Sequence, residues 1–142
     1  GDFARTMVRQ LLFSTYQHLL YQRLEAGSDE QLAGIAAKAV KEVAYHRELA
    51  AEWVVRLGDG TEESARRTAD GLDWCWRFVP ELFEVEAEYR ASIAAVLADA
   101  KLSQPSDQRP ILGGRRGHHS EHLGHLLAIM QYLPRTYPDA KW

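Results

Sequence analysis

The chain has 142 residues, a length that suits one domain able to bury a respectable core. Hydrophobic residues make up 46% and charged residues 26%, which excludes a disordered chain. A formal net charge of −3 with no clustered Lys and Arg excludes the electrostatic footprint of a nucleic-acid binder.

The hydrophobic periodicity is helical throughout, so an all-α fold is expected. From Phe3 to about Ala26, apolar residues that include Met7, Val8, Leu11, Leu12, Phe13, Tyr16, Leu19 and Leu20 cover most of a helix circumference, as befits a helix in the middle of a bundle. Gly27 ends this helix, and Ser28 with Gln31 three places on reads as a capping box for the next. The second helix runs to about Leu57 and stops at Gly58-Asp59-Gly60, so the first two helices form an antiparallel hairpin. Thr61 caps a third helix with Glu62 and Glu63 in its first turn, and Leu72, Cys75, Trp76 and Val79 lead up to Pro80. Helix continues from Glu81 to about Leu102 through Leu82, Phe83, Ile93, Val96 and Leu97, with a kink or a break at Pro80. Residues 103–117 hold Pro105, Pro110, Gly113, Gly114 and Gly117 and read as a loop. A last helix spans Ser120 to Leu133 and stops at Pro134.

Cys75 is the one cysteine, which excludes an internal disulfide and fits a reducing cytoplasm; set between Trp74 and Trp76, it reads as packing and not as a nucleophile. No apolar run reaches membrane-spanning length and no signal peptide is visible, so a cytoplasmic protein with neither membrane nor nucleic-acid partner is expected.

Two places invite chemistry. In the second helix, Glu42 and His46 share a wheel face with Ile35, Leu49 and Trp53, which points both polar groups toward the core. A buried carboxylate needs a partner or a proton. Di-iron bundles build their sites from Glu-x-x-His pairs and further single carboxylates, whereas here Tyr45 stands three places after Glu42 and the histidine comes one place late. The first helix offers Ser14, Thr15 and His18 but no acid between Asp2 and Glu25, too little negative charge for an iron pair. Glu42, His46 and His18 therefore read as a degenerate metal site, with polar pairing in place of metal. Near the C-terminus, His118, His122 and His125 fall at i, i+4 and i+7 if the segment is helical, a stripe able to share a metal. That stripe borders an apolar face of Leu123, Leu126, Leu127, Met130 and Leu133, where residues meet water or a partner, so His119, Glu121 and His122 are candidates for a partner interface.

Segments along nearly the whole chain carry a family likeness. They are Gly1-Asp2-Phe3-Ala4 with Val8-Arg9-Gln10, Gln31-Leu32-Ala33 through Lys38-Ala39, Lys41-Glu42-Val43-Ala44-Tyr45-His46, and Trp53-Val54-Val55-Arg56-Leu57-Gly58-Asp59-Gly60-Thr61. Glu81-Leu82-Phe83, Gly113-Gly114-Arg115-Arg116-Gly117, His119-Ser120-Glu121-His122-Leu123-Gly124 and Met130-Gln131-Tyr132-Leu133 follow in order. This chain resembles the structural, PaaC-type subunits of the bacterial phenylacetyl-coenzyme A epoxidases, with Glu84 to Arg109 shorter than in the family. The resemblance implies a single ferritin-like helical domain over residues 1–142, here an N-terminally truncated fragment lacking the first two bundle helices. It further implies a non-catalytic subunit with no cofactor of its own, paired with a catalytic sister subunit that carries the di-iron site, a small bridging subunit and a flavin and iron–sulfur reductase. Such an assembly epoxidises the ring of phenylacetyl-CoA with O₂ and NADPH.

The competing readings are a ferritin-like metal-binding enzyme using Glu42, His46 and His18, and a metal-storage or sensing module on His118, His122 and His125. One further expectation concerns assembly. Met7, Leu11, Tyr16 and Leu20 cannot all be covered by a single hairpin partner, so the chain alone is expected to form a homo-oligomer through the first two helices.

Overall fold

The computed structural model describes residues 2–106 and 109–141, with the side chains of residues 83–86 outside the description. Among the described residues every regular element is helical and there is no strand. Residues to Ile111 form one compact unit and those from Leu112 a second.

In the first unit, α1 (Phe3–Glu25) starts on the Asp2 carboxylate, which accepts from the Arg5 amide at 2.7 Å. It ends where the Gly27 amide reaches the Leu24 carbonyl at 3.0 Å, so Gly27 stands just past the helix as expected. Helix α2 (Glu30–Gly58) is capped by Asp29, whose carboxylate accepts from the Leu32 amide at 3.0 Å. The expected capping box on Ser28 and Gln31 is thus displaced by one residue, because a carboxylate caps as well as a hydroxyl and Asp29 lies closer to the first apolar turn. α1 and α2 pack along most of their length as the expected antiparallel hairpin.

Thr61 opens α3 (Glu62–Trp76) by accepting from the Ser64 amide at 3.2 Å, with Glu62 and Glu63 in the first turn. The helix breaks at Pro80. With no amide hydrogen there, the Trp76 carbonyl loses its i+4 donor, and the chain tightens into a 3₁₀ stretch, Val79–Val85. Helix α4 (Glu86–Asp99) therefore begins later than the expected Glu81; Phe83, expected on its apolar side, has its side chain outside the described residues. α4 closes with the Leu102 amide bonded to the Leu97 carbonyl at 2.9 Å and the Lys101 amide to Ala98 at 3.1 Å. This paired arrangement needs a left-handed residue, and Lys101 supplies it at φ 57°. Residues 102–106 and 109–113 are irregular, as expected for the 103–117 loop, although 107 and 108 lie outside the description and a 3₁₀ turn occupies Gly114–Arg116.

The core of this unit joins Val8, Leu11, Leu12 and Tyr16 of α1, Ala50 and Val54 of α2, Leu72, Cys75 and Trp76 of α3, and Tyr89, Ile93 and Leu97 of α4. Tyr89 crosses it and donates its hydroxyl to the Leu12 carbonyl at 3.2 Å. Buried Ser14, Thr15 and Thr68 donate to carbonyls one turn back, so no hydroxyl among them is stranded. α1 is central, as its all-round apolar surface requires: α2, α3 and α4 all pack against it. The expectation that its apolar circumference would stay partly uncovered needs correction. Leu11 and Tyr16 are buried, and Met7 and Leu20 are half-buried against the core, because α3 and α4 fold back over the hairpin.

In the second unit, α5 (His122–Met130) and α6 (Tyr132–Thr136) replace the single helix expected over Ser120–Leu133. Pro134 does not stop the helix. It sits in the first turn of α6, where its missing amide hydrogen has no intrahelical acceptor to lose.

Candidate functional site

Glu42, His46, Ile35, Leu49 and Trp53 do share one face of α2, but that face does not look into the core. Glu42 is exposed and His46 only half-buried, while Ile35 and Leu49 are 59% and 39% exposed. The side chains that α2 buries are those of Ala36, Val43, Ala50 and Val54, a stripe about 100° round the helix from Glu42, with Gly58 buried at its end. Small side chains take the α1 interface because they let the two backbones approach, and the larger apolar residues are left on the flank. The carboxylate of Glu42 therefore needs no buried partner.

His18 does lie against α2, opposite Arg47. Its Nδ1 is buried without a hydrogen-bond partner. Burial first, and then the Arg47 guanidinium, hold the imidazole below its ordinary pKa, so it is neutral near pH 7. A guanidinium beside an imidazole also opposes a metal cation at that nitrogen. Among the described residues no group of three or more His, Cys, Asp or Glu is placed to hold a metal ion. The donor set does not fit an iron pair.

The C-terminal histidine stripe does not form either. His118 precedes α5, with its amide bonded to the Gly113 carbonyl at 2.9 Å and its ring packed over Gly113, where a Cβ would come within 3.1 Å of it. Gly113, at φ 99°, makes the turn that places His118 there. Only His122 and His125 remain on α5, close to one turn apart. His119, Glu121 and His122 are all exposed, and His122 Nε2 stands 3.7 Å from the Glu121 carboxylate.

Two concavities were missed by sequence periodicity because neither has a local signature. The larger is a groove of about 780 Å³ between α2 and α4 with Leu11 and Thr15 of α1 at its floor. Its walls carry Ala44, Ala51, Ala95 and Val96, and charged Arg47, Glu48, Glu52, Arg56 and Asp99 line it as well. An apolar floor with mixed charge around it is the form of a seat for another protein element; among the described residues its lining holds no His, Cys or Tyr to act with those carboxylates. The smaller, about 360 Å³, lies among Phe13, Trp74, Phe78 and Leu82, with Arg9 and Glu81 beside Cys75. Burial pushes the Cys75 thiol up, which outweighs the opposing pull of Arg5 and Arg9 and keeps it an unreactive packing group, as expected. Arg5 lies over the Trp74 ring at 4.7 Å, and Phe3 meets Trp53 edge-on at 5.0 Å, so these aromatics act as packing anchors.

Comparison with known proteins bears on the whole chain. A family described as phenylacetic acid catabolic protein matches it in two overlapping stretches, residues 1–91 and 84–142. The chain is also 36% identical, over 161 residues, to the C subunit of the 1,2-phenylacetyl-CoA epoxidase of Escherichia coli strain K12, an alignment that takes in 100% of this chain and 65% of that protein. This chain thus spans just under two thirds of that relative's length. The alignment is longer than the 142 residues available here, so the relative holds residues that this chain lacks, and the family match breaks near 84–91, inside the stretch that reads as shortened. None of the helices among the described residues is long and apolar enough to cross a membrane.

Proposed function

This chain belongs to the phenylacetic acid catabolic protein family, and we propose that it acts there as a non-catalytic scaffold subunit of a multicomponent di-iron oxygenase that epoxidises the aromatic ring of phenylacetyl-CoA. The observation that carries the reading is the similarity over the full chain to the C subunit of such an epoxidase. In this reading the iron pair belongs to a catalytic sister subunit, which this chain binds and holds in shape. A small bridging subunit and a flavin and iron–sulfur reductase complete a cytoplasmic assembly that uses O₂ and NADPH. The bundle is of the ferritin-like type, and its first two helices lie outside this chain.

The site geometry supports a scaffold. Glu42 faces outward, His18 sits against a guanidinium, and the C-terminal histidines are dispersed, an arrangement that favours a scaffold over a metal-binding enzyme. What the first unit does provide is a well-packed core with open surfaces around it: the exposed apolar flank of α2, with Leu32, Ile35, Tyr45 and Leu49, and the groove beside α4. Surfaces of this kind suit subunit association. The test is reconstitution. With the catalytic subunit and reductase present, adding this chain should raise phenylacetyl-CoA turnover, and the chain with reductase and NADPH but no sister subunit should give none. Turnover by the chain without its sister would overturn the reading.

A further inference from the structure

Arg5, Arg9 and Phe13 follow one another at four-residue steps on α1 and so form one stripe of that helix, and Trp74 and Phe78 stand at the same step around the end of α3. Beside these two stripes lies the smaller of the two concavities, about 360 Å³. Its floor belongs to the core: Leu12, Cys75 and Val79 are each at most 5% exposed. Phe13 and Trp74 rise from that floor and keep 42% and 37% of their surface uncovered, and the Trp74 and Phe78 rings meet at 5.5 Å, tilted by 55°. The break at Pro80 closes the remaining side. There the 3₁₀ turn bonds the Glu81 amide to the Phe78 carbonyl at 3.3 Å and brings Glu81 and Leu82 to the rim.

A hollow at the small end of the range for ligand pockets, with aromatic and aliphatic walls and a few charged groups at its mouth, has the make-up of a small-molecule site. Charge narrows the class. Among the described residues neither the Arg5 nor the Arg9 guanidinium has an ion pair or a hydrogen bond. Arg5 lies over the Trp74 ring at 4.7 Å, so the face of that ring that a ligand cation would seek already carries one. Both guanidiniums stand close enough to pull against the effect of burial on the Cys75 thiol at the floor. Two cations against the one carboxylate of Glu81 favour an anion, and the flat walls favour a ring over an aliphatic chain. Arg9 presents a planar fork, which matches a carboxylate in geometry as well as in charge.

We propose that this pocket binds a small planar aromatic carboxylate, with its ring against Trp74 and Phe78 and its carboxylate on Arg9. The site does not depend on the scaffold reading, since every residue it uses lies in the first unit of this chain.

The test titrates naphthoate, neutral naphthylmethanol and cationic naphthylmethylammonium into the whole natural chain. Calorimetry reads affinity, and the indole N–H resonance of Trp74, assigned with Trp74→Phe, reports the place of binding. Naphthoate should bind at one saturable site that shifts the Trp74 signal, with the alcohol on the order of 10-fold weaker and the ammonium weaker still. Arg9→Gln, on an exposed part of α1, should cost naphthoate about 10-fold, leave the alcohol unchanged and melt as the natural chain does. Glu81→Gln should tighten naphthoate. Absence of saturable naphthoate binding at millimolar concentration would overturn the proposal. Equal affinity for alcohol and naphthoate would reduce the pocket to apolar surface and overturn it as well, and so would an Arg9→Gln chain that holds naphthoate undiminished. Tighter binding of the ammonium would reverse the charge argument, with the same consequence. The three probes on the natural chain decide the matter even if a variant fails to fold.

Discussion

Gly58, the last residue of α2, offers a sharp test of how the first unit is packed. A methyl group there would fall on the Ala100 carbonyl oxygen and come within 3.0 Å of Ala100 Cβ. Neither atom can step aside. Ala100 is fully buried, its amide is bonded to Val96 at 2.9 Å, and it leads directly into the left-handed turn at Lys101. Forcing one extra carbon into a closed contact costs about 1–3 kcal/mol. Replacing glycine by alanine returns at most about 1 kcal/mol of helix propensity, and less at a helix end. Gly58→Ala should therefore destabilise the chain by roughly 1–2 kcal/mol, which at this size lowers the Tm by about 3–8 °C. Gly34, in the same helix, is the internal control: it is exposed and a Cβ there meets nothing within 4 Å. Gly34→Ala should stabilise by about 0.5–1 kcal/mol. Urea unfolding followed by circular dichroism measures both. A Gly58→Ala chain as stable as the natural one, with Gly34→Ala behaving as expected, would refute the close approach of α2 to the end of α4.

Four other outcomes can be checked. Lys101→Gly should stabilise by about 0.5–1 kcal/mol, because glycine adopts the left-handed turn without penalty and the Asp59 ion pair lost with it, at 2.5 Å but on the surface, contributes little; a less stable variant would contradict this. Glu42→Ala should change stability by under about 0.5 kcal/mol, as expected of an exposed carboxylate, and a loss above about 2 kcal/mol in the same urea titration would restore the buried pair. His18 should make the chain less stable in acid: its folded pKa is lowered, so the unfolded chain takes up the proton first, and stability present above pH ~6.5 is lost as pH falls through that value toward the folded pKa. His18→Gln should flatten that part of a Tm-against-pH curve, and an unchanged curve would count against this role for His18. Finally, we propose that the chain alone self-associates through the α2 flank, so Ile35→Lys with Leu49→Lys should shift sedimentation toward the monomer; a natural chain already monomeric at micromolar concentration would end that idea.

Much of the fold was legible in the sequence because its signals are local. Thr61 with Glu62 and Glu63 announces a helix start, Gly58-Asp59-Gly60 marks the end of α2, and Pro80 marks a break whose form only the hydrogen-bond pattern reveals. The candidate site was less legible. α2 carries two apolar stripes, and the one with the larger residues, Ile35, Leu49 and Trp53, looks like the core side on a wheel. Close helix packing selects the smaller stripe of Ala36, Val43, Ala50 and Val54, and nothing within α2 itself announces which face its neighbour will take. The same holds for Tyr16 and Leu11, whose burial depends on α3 and α4 returning over α1 from far along the chain. The histidine stripe failed for a nearer reason: Gly113 and Gly117 in left-handed turns draw His118 out of helix register.

The central claim is that this chain is a scaffold whose iron-bearing partner is another subunit. Native mass spectrometry with metal analysis of the untagged chain, co-expressed with the catalytic subunit, tests it most directly. The expected result is a complex containing both chains, with iron released only alongside the catalytic subunit and none retained by this chain when the two are separated. Stoichiometric iron on the isolated chain, lost on Glu42→Ala or His46→Ala, would contradict it.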